Sequence, residues 1–197
     1  MNTTGWIVLA VLGALLGWVV VTYNALLQRR NRVANAFAQI DVQLKRRYDL
    51  VPNLVEVAKR YLAHEAQTLE AVTRARGDAV GAAARARAHP TDSAAVGKLA
   101  VAEEALGGSL GRLMVVVESY PELKADATMK SLSEELTSTE NRIGFARQAY
   151  NDEVQTYNDA VGQLPDLLVA RFCGFPPTAM LQSTRTEQER EAPRVAF

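Results

Sequence analysis

The sequence predicts an all-α protein, an N-terminal transmembrane helix followed by an elongated antiparallel helical bundle, and three observations lead there. An uncharged apolar run opens the chain, apolar residues then recur every three or four positions over most of its remaining length, and no alternating pattern long enough for a strand occurs. Composition excludes other classes. Among 197 residues, 22 are basic and 22 acidic, so the chain lacks the cationic excess that general nucleic-acid binding needs. One cysteine, Cys173, and two histidines leave no intrachain disulfide and no thiolate-rich zinc site.

Residues 6–23 read WIVLAVLGALLGWVVVTY, and no charged side chain precedes Arg29. As a helix rising about 1.5 Å per residue, residues 5–27 cover about 35 Å, enough for a hydrocarbon core about 30 Å thick. Trp6 and Tyr23 stand near the two ends, where aromatic rings favour the interface. A cleaved signal peptide would carry a basic N-terminal segment, which residues 1–5 lack, and a core helix would keep a polar face. Arg29, Arg30 and Arg32 flank the run on its C-terminal side only, so the positive-inside rule puts the N-terminus outside and the body in the cytoplasm. These arginines lie close enough to the bilayer to bind anionic headgroups.

Beyond the membrane, Val33, Phe37, Ile40, Leu44, Tyr48, Val51, Val55, Ala58 and Leu62 form one helical seam. It keeps its phase through Pro52, so a kinked helix is expected there, with a hairpin at Pro52 as the alternative. A second seam runs through Val96, Leu99, Leu106, Leu110, Leu113, Val117 and Tyr120. A third runs through Leu132, Leu136, Thr139, Ile143, Ala146, Tyr150, Val154, Tyr157 and Val161. Pro90 and Asp92 supply a break and an N-cap, and Pro121 ends one helix and starts the next. Matching the lengths of the seams favours a reversal between Gly77 and Gly81, after which a limb in two pieces descends to Ser119 and a last helix climbs from Pro121 to Leu164. Gly107, Gly108 and Gly111 are either weak spots in the second seam or places of close backbone approach. The expected organisation is an anchor over 1–28, a bundle over 29–181 and a disordered tail over 182–197. Residues 165–181, broken by three prolines and a glycine, are expected to fold over one end of the bundle.

Catalytic patterns are missing. The residues three before His64 and His89 are Tyr61 and Ala86, so no Glu-x-x-His pair for a dinuclear metal exists, and Thr68 stands where a zinc-protease helix starting at His64-Glu65 would need histidine. Neither a phosphate loop nor a nucleophile elbow is found. Glu103-Glu104 and Glu134-Glu135 read as solvated faces and Cys173 as a small apolar filler. The reading is therefore of a chain without enzymatic activity or cofactor.

Charge is polarised along the chain. Between Arg29 and Arg60 eight basic residues face three acidic ones, a net of +5 that leaves −5 for the remainder. Lys45, Arg46 and Arg47 sit too far from the bilayer to touch it, and form a solvated face, pair with acidic residues of the returning helix, or meet an acidic partner protein. In the last seam Tyr150-Asn151 and Tyr157-Asn158 repeat at heptad spacing, which suits hydrogen bonds across helices that fix register, or a ligand site if they converge on a cavity.

Several of these segments carry a family resemblance: Tyr23-Asn24 through Arg29-Arg30-Asn31 to QIDVQLKRRYDLVPNLVEVAKRY and His64-Glu65, then SYPELKA from Ser119, then TENRI from Thr139 and Tyr150-Asn151. Together they resemble the LemA family of bacterial membrane proteins over most of the chain. Departures fall at Phe37, where the family usually has Trp, and near residues 176–180, where it usually has an aromatic. The resemblance implies a single span with a helical bundle and implies no catalytic residue or cofactor, while magnetosome-associated members suggest roles in membrane organisation. The functional expectation is one of two: a membrane-anchored scaffold or adaptor that binds other proteins or further copies of itself, or a regulatory element responding to a ligand or to the membrane.

Overall fold

The computed structural model describes residues 3–62 and 64–181, which form six helices and, among the described residues, no strand. The first, α1 (Thr3–Lys59), runs without interruption from the apolar N-terminus into the body. Its two halves have opposite surfaces. Over residues 3–21 the large apolar side chains stand uncovered, with Trp6, Leu16 and Val21 all exposed, and the stretch is long and apolar enough to cross a membrane. From Thr22 and Leu26 onward the seam residues are buried.

Helix α1 continues without a break through Pro52, which lacks the N–H that would bond the Tyr48 carbonyl one turn back. Arg76 fills the vacancy, its Nε donating to the Tyr48 oxygen at 2.6 Å. The proline is thus tolerated because a neighbouring helix supplies the missing donor.

The chain reverses at residues 60–65, at neither Pro52 nor the segment between Gly77 and Gly81. The last turn tightens, with Arg60 N bonded to the Val57 carbonyl and Tyr61 N to that of Ala58, and buried Leu62 pins the corner. Helix α2 (Ala66–Ala88) then runs back down α1, carrying Gly77 and Gly81 in its interior. Its pairing is marked by Arg87 on Asp41, bidentate at 2.7 and 2.8 Å. The buried face of α2 is mostly alanine (Ala75, Ala79, Ala82, Ala83 and Ala86), and such small side chains let neighbouring backbones approach closely.

Asp92 caps α3 (Ser93–Glu118), accepting from Ala94 N at 2.9 Å, and α3 climbs again. A short α4 (Pro121–Ala125) starts on its proline and turns the distal corner. Asp126 caps α5 (Ala127–Gly162) through Thr128 N and Met129 N at 2.8 and 2.9 Å, and also accepts from the Tyr61 hydroxyl at 3.0 Å. These bonds hold its carboxyl below the usual range, the Met129 N–H contributing most. Helix α5 descends along α1, as the Arg46–Glu135 and Phe37–Tyr150 contacts successively record. The bundle is therefore up-down-up-down. The expected directions of the second and third seams are both inverted, because the missed reversal adds a limb before them. The body has four limbs where three were expected, and every seam finds cover.

After α5, α6 (Asp166–Cys173) packs beside α1 at the membrane-proximal end. Gly174, at φ 73°, takes the left-handed conformation that a sharp helix end requires. Residues 175–181 then run extended up the side of the bundle, a placement the broken composition of this segment anticipated only as a cover for one end. The disorder expected for 182–197 concerns residues outside those described.

Candidate functional site

Helix α3 lies against α2 and α5 lies against α1, but α3 and α5 scarcely approach one another. A gap is left between them. Two constructions occupy it at different levels, one charged and distal, the other neutral and close to the membrane.

The distal one is a cleft of about 370 Å³, floored by Ile40, Leu44 and Arg47 of α1, walled by Val101 and Glu104 of α3 and by Ile143 and Arg147 of α5, and ending at Met180 and Leu181. Arg47 is buried in its floor and bridges the gap, meeting Glu103 of α3 at 3.1 Å and Glu140 of α5 at 2.8 Å. Arg147 continues the chain of charges to Glu140 at 3.6 Å. The Tyr48 hydroxyl donates to the second oxygen of Glu103. Burial raises the Glu103 carboxyl above its ordinary range, with Tyr48 and Arg47 pulling the other way. The Tyr48 phenol is pushed far up, by burial first and then by the neighbouring Glu103 charge. The arrangement holds ionised groups at the bottom of a partly apolar cleft. It contains no nucleophile paired with a base.

Near the membrane the gap is closed by residues 176–181. Asn158 offers both ends of its amide to Thr178, Nδ2 donating to the carbonyl and Oδ1 accepting from the N–H, each at 2.9 Å. Asn151 does the same for Leu181 at 2.7 and 2.8 Å. The Tyr150 hydroxyl donates to the Ala179 carbonyl at 3.1 Å and that of Tyr157 to the Pro176 carbonyl at 2.9 Å. On the other side, Ala179 N donates to Ser93 Oγ at 3.0 Å and Thr178 Oγ1 to the Thr91 carbonyl at 3.3 Å. Burial pushes the Tyr150 phenol up to about 12 and raises that of Tyr157, the latter tempered by Arg30.

The repeat in the sequence now has a metric reason. Seven helical residues rise about 10.5 Å, close to the roughly 9–10 Å that three extended residues span, so a heptad on α5 matches a three-residue step in the strap. Tyr150, Asn151, Tyr157 and Asn158 therefore bond an extended segment, and the expectation of hydrogen bonds across helices is corrected. The strap's backbone has no ladder of its own, and the two asparagines supply one.

The remaining candidates divide. Arg46 bonds Glu135 at 2.6 Å and Arg47 bridges Glu103 and Glu140, while Lys45 is exposed. Arg29 faces Asp166 of α6 at 3.7 Å, and Arg30 and Arg32 are exposed. Glu103 is not on a solvated face, and Cys173 is not a filler but exposed at the end of α6. A Cβ at Gly108 or Gly111 would meet nothing within 4 Å, so neither marks a close approach. His64 is exposed in the distal corner, away from the cleft. Phe37, the departure from the family's usual Trp, is buried edge-on against Tyr150 with ring centres 6.0 Å apart.

Sequence reasoning missed Glu103, Glu140, Arg76 and Arg147. For Glu103 a signal existed, because the second seam steps from Leu99 to Leu106 and position 103 is the turn between them.

The chain is similar to magnetosome protein MamQ of Magnetospirillum gryphiswaldense, 27% identical over 172 residues, which is 80% of this chain and 63% of that protein. It is equally similar to MamQ 1 and MamQ 2 of Paramagnetospirillum magneticum, 27% identical over 180 residues, covering 82% of this chain and 65% of each. The chain thus spans a little under two thirds of these relatives. The sequence profile of the LemA family matches residues 36–197, a stretch that includes the cleft and the strap, and the chain belongs to the LemA family.

Proposed function

We propose that the protein is a bacterial membrane-anchored helical adaptor whose bundle binds other proteins through the cleft between α3 and α5. The observation that carries this is the open cleft, part apolar and part charged, in a bundle that continues directly from an uncovered apolar helix. Its walls combine exposed apolar side chains, Val101 and Met180, with the carboxylates of Glu104 and Glu140, a lining suited to a partner segment that alternates basic and apolar residues. Arginines on the C-terminal side of the anchor favour a cytoplasmic bundle with the N-terminus outside. The MamQ relatives are named as magnetosome proteins, which supports membrane association as the shared property.

The test is site-specific photocrosslinking in living cells from position 101, with a control position on the exposed face of α2. A discrete adduct from 101 alone supports the adaptor reading, and identification of the adduct tells a foreign partner from a second copy of the chain. Equal background from both positions in every growth condition would sink it. A second reading, a regulator that responds to a small ligand, is favoured by the buried Arg47–Glu103 pair in the cleft floor. It predicts a specific rise in melting temperature on ligand screening, abolished by Glu103→Gln.

A further inference from the structure

We infer that α6 is a second membrane contact, an interfacial helix that lays its apolar edge into the bilayer beside the α1 span. This rests on the reading of α1 as an anchor. The sequence of α6 puts Leu168 and Phe172 at i and i+4, hence along one edge, while Val169 and Ala170 face the bundle and are buried. That edge is uncovered. Leu168 is 50% and Phe172 91% exposed, and Leu164 in the turn before the helix is 73% exposed, an arrangement that water disfavours and a lipid boundary rewards.

Position along α1 identifies the occupant. Asp166, at the start of α6, meets Arg29, and Phe175, just past its end, packs edge-on against Tyr23 with ring centres 5.4 Å apart. The helix therefore descends from the first charged residue of α1 to the end of its uncharged run. The core contacts of the bundle reach lower still, to Trp18 and Val19. At that depth α1 itself is uncovered, with Val20, Val21 and Tyr23 exposed. The Tyr23–Phe175 ring pair lies there with Arg29 on Asp166, and Arg30, Arg32 and Arg171 are exposed, the composition of a segment lying in the headgroup region. A protein partner would have no reason to share this level, whereas the bilayer surrounds it.

Cys173 is the only cysteine and is exposed next to Phe172, so the full chain carries its own reporter position. The protein is reconstituted into vesicles of phosphatidylethanolamine and phosphatidylglycerol, spin-labelled at Cys173, and its relaxation by oxygen is compared with that by a water-soluble nickel chelate. A reference label is placed by Val101→Cys in a Cys173→Ser background. Expected is an oxygen-to-nickel ratio several-fold higher at 173 than at 101. Leu168→Asp combined with Phe172→Asp should bring the ratio at 173 down to the reference value without loss of helicity. A label at 173 as open to nickel as that at 101, in protein that floats with the vesicles, overturns the inference and leaves the anchor standing. Shielding from both reagents means a protein neighbour and overturns it as well. Failure to float removes the anchor, and this inference with it.

Discussion

Two levels of the same bundle solve one problem in different ways. Around Arg47 the space between α3 and α5 is bridged by charge, and between Tyr150 and Asn158 it is filled by an extended strap held with neutral hydrogen bonds. The difference lies in what each leaves behind. A guanidinium reaching two carboxylates holds its helices together across a gap without filling it, so a cleft remains. The strap fills the gap with backbone that bonds to α5 on one side and to Thr91 and Ser93 on the other. Leu181 belongs to both, bonded to Asn151 in the strap and lining the cleft, so the two constructions meet at that residue.

Removing the bridge should have the largest effect. Arg47→Ala leaves Glu103 buried without its counter-ion, a loss of roughly 3 kcal/mol or ~6–12 °C in Tm, measured by thermal circular dichroism in mild detergent. Pairing it with Glu103→Gln should recover most of the loss, since the orphaned charge is then gone. The wild-type protein has a matching pH signature. Glu103 has a folded pKa above its unfolded value, so the native state binds the proton more tightly, and this residue's contribution to stability is lost as pH rises from the ordinary carboxylate range through the raised folded value. Asp126 has the opposite sign, its contribution being present above the ordinary carboxylate range and lost as pH falls through its lowered folded value. Glu103→Gln should abolish the first slope and keep the second.

The neutral level should respond less to pH and nearly as much to truncation. Asn158→Ala removes two bonds and strands the N–H and carbonyl of Thr178, and Asn151→Ala does the same to Leu181, each costing about 1–3 kcal/mol. Hydrogen exchange should show this loss as local opening of residues 176–181 before global unfolding. Uniform loss of protection along α5 would instead mean that the asparagines serve helix packing.

The two levels were not equally legible in the sequence. Helical character, the seams and the uncovered anchor follow from periodicity, since a residue's face on a helix is set by its number alone. The Tyr-Asn repeat stood out for the same reason, but its partner is an extended segment with no period to announce it. The reversal at residues 60–65 carries no glycine or proline, and Leu62 and Leu69 lie seven apart, so the seam crosses the turn in phase. Gly77 and Gly81, which look like a break, sit inside α2 because alanine-rich packing outweighs their propensity cost. Arg47 was visible as a charge, but its burial depends on which helix stands opposite, and that depended on the turn.

Arg76 offers a finer break at the charged level. If its bond to the Tyr48 carbonyl compensates for Pro52, the two residues are coupled. Arg76→Ala should cost about 1 kcal/mol in the wild type and close to nothing in a Pro52→Ala background, where the backbone N–H at position 52 satisfies the same carbonyl. Equal costs in both backgrounds would show that Arg76 acts by charge alone.

The smallest expected effect is a gain. Gly108 and Gly111 sit within α3, and a Cβ at either meets open space, so Gly108→Ala and Gly111→Ala should each stabilise by about 0.5–1 kcal/mol through the unfolded chain's lost freedom. The sign is the informative part. If the bundle closes on this face in the membrane, with another helix or another protein lying against these glycines, the added methyl must collide and the substitutions will weaken the assembled protein while still stabilising it in detergent. Measuring both substitutions in vesicles and in detergent therefore asks whether this bare face of α3 is open only until a partner covers it.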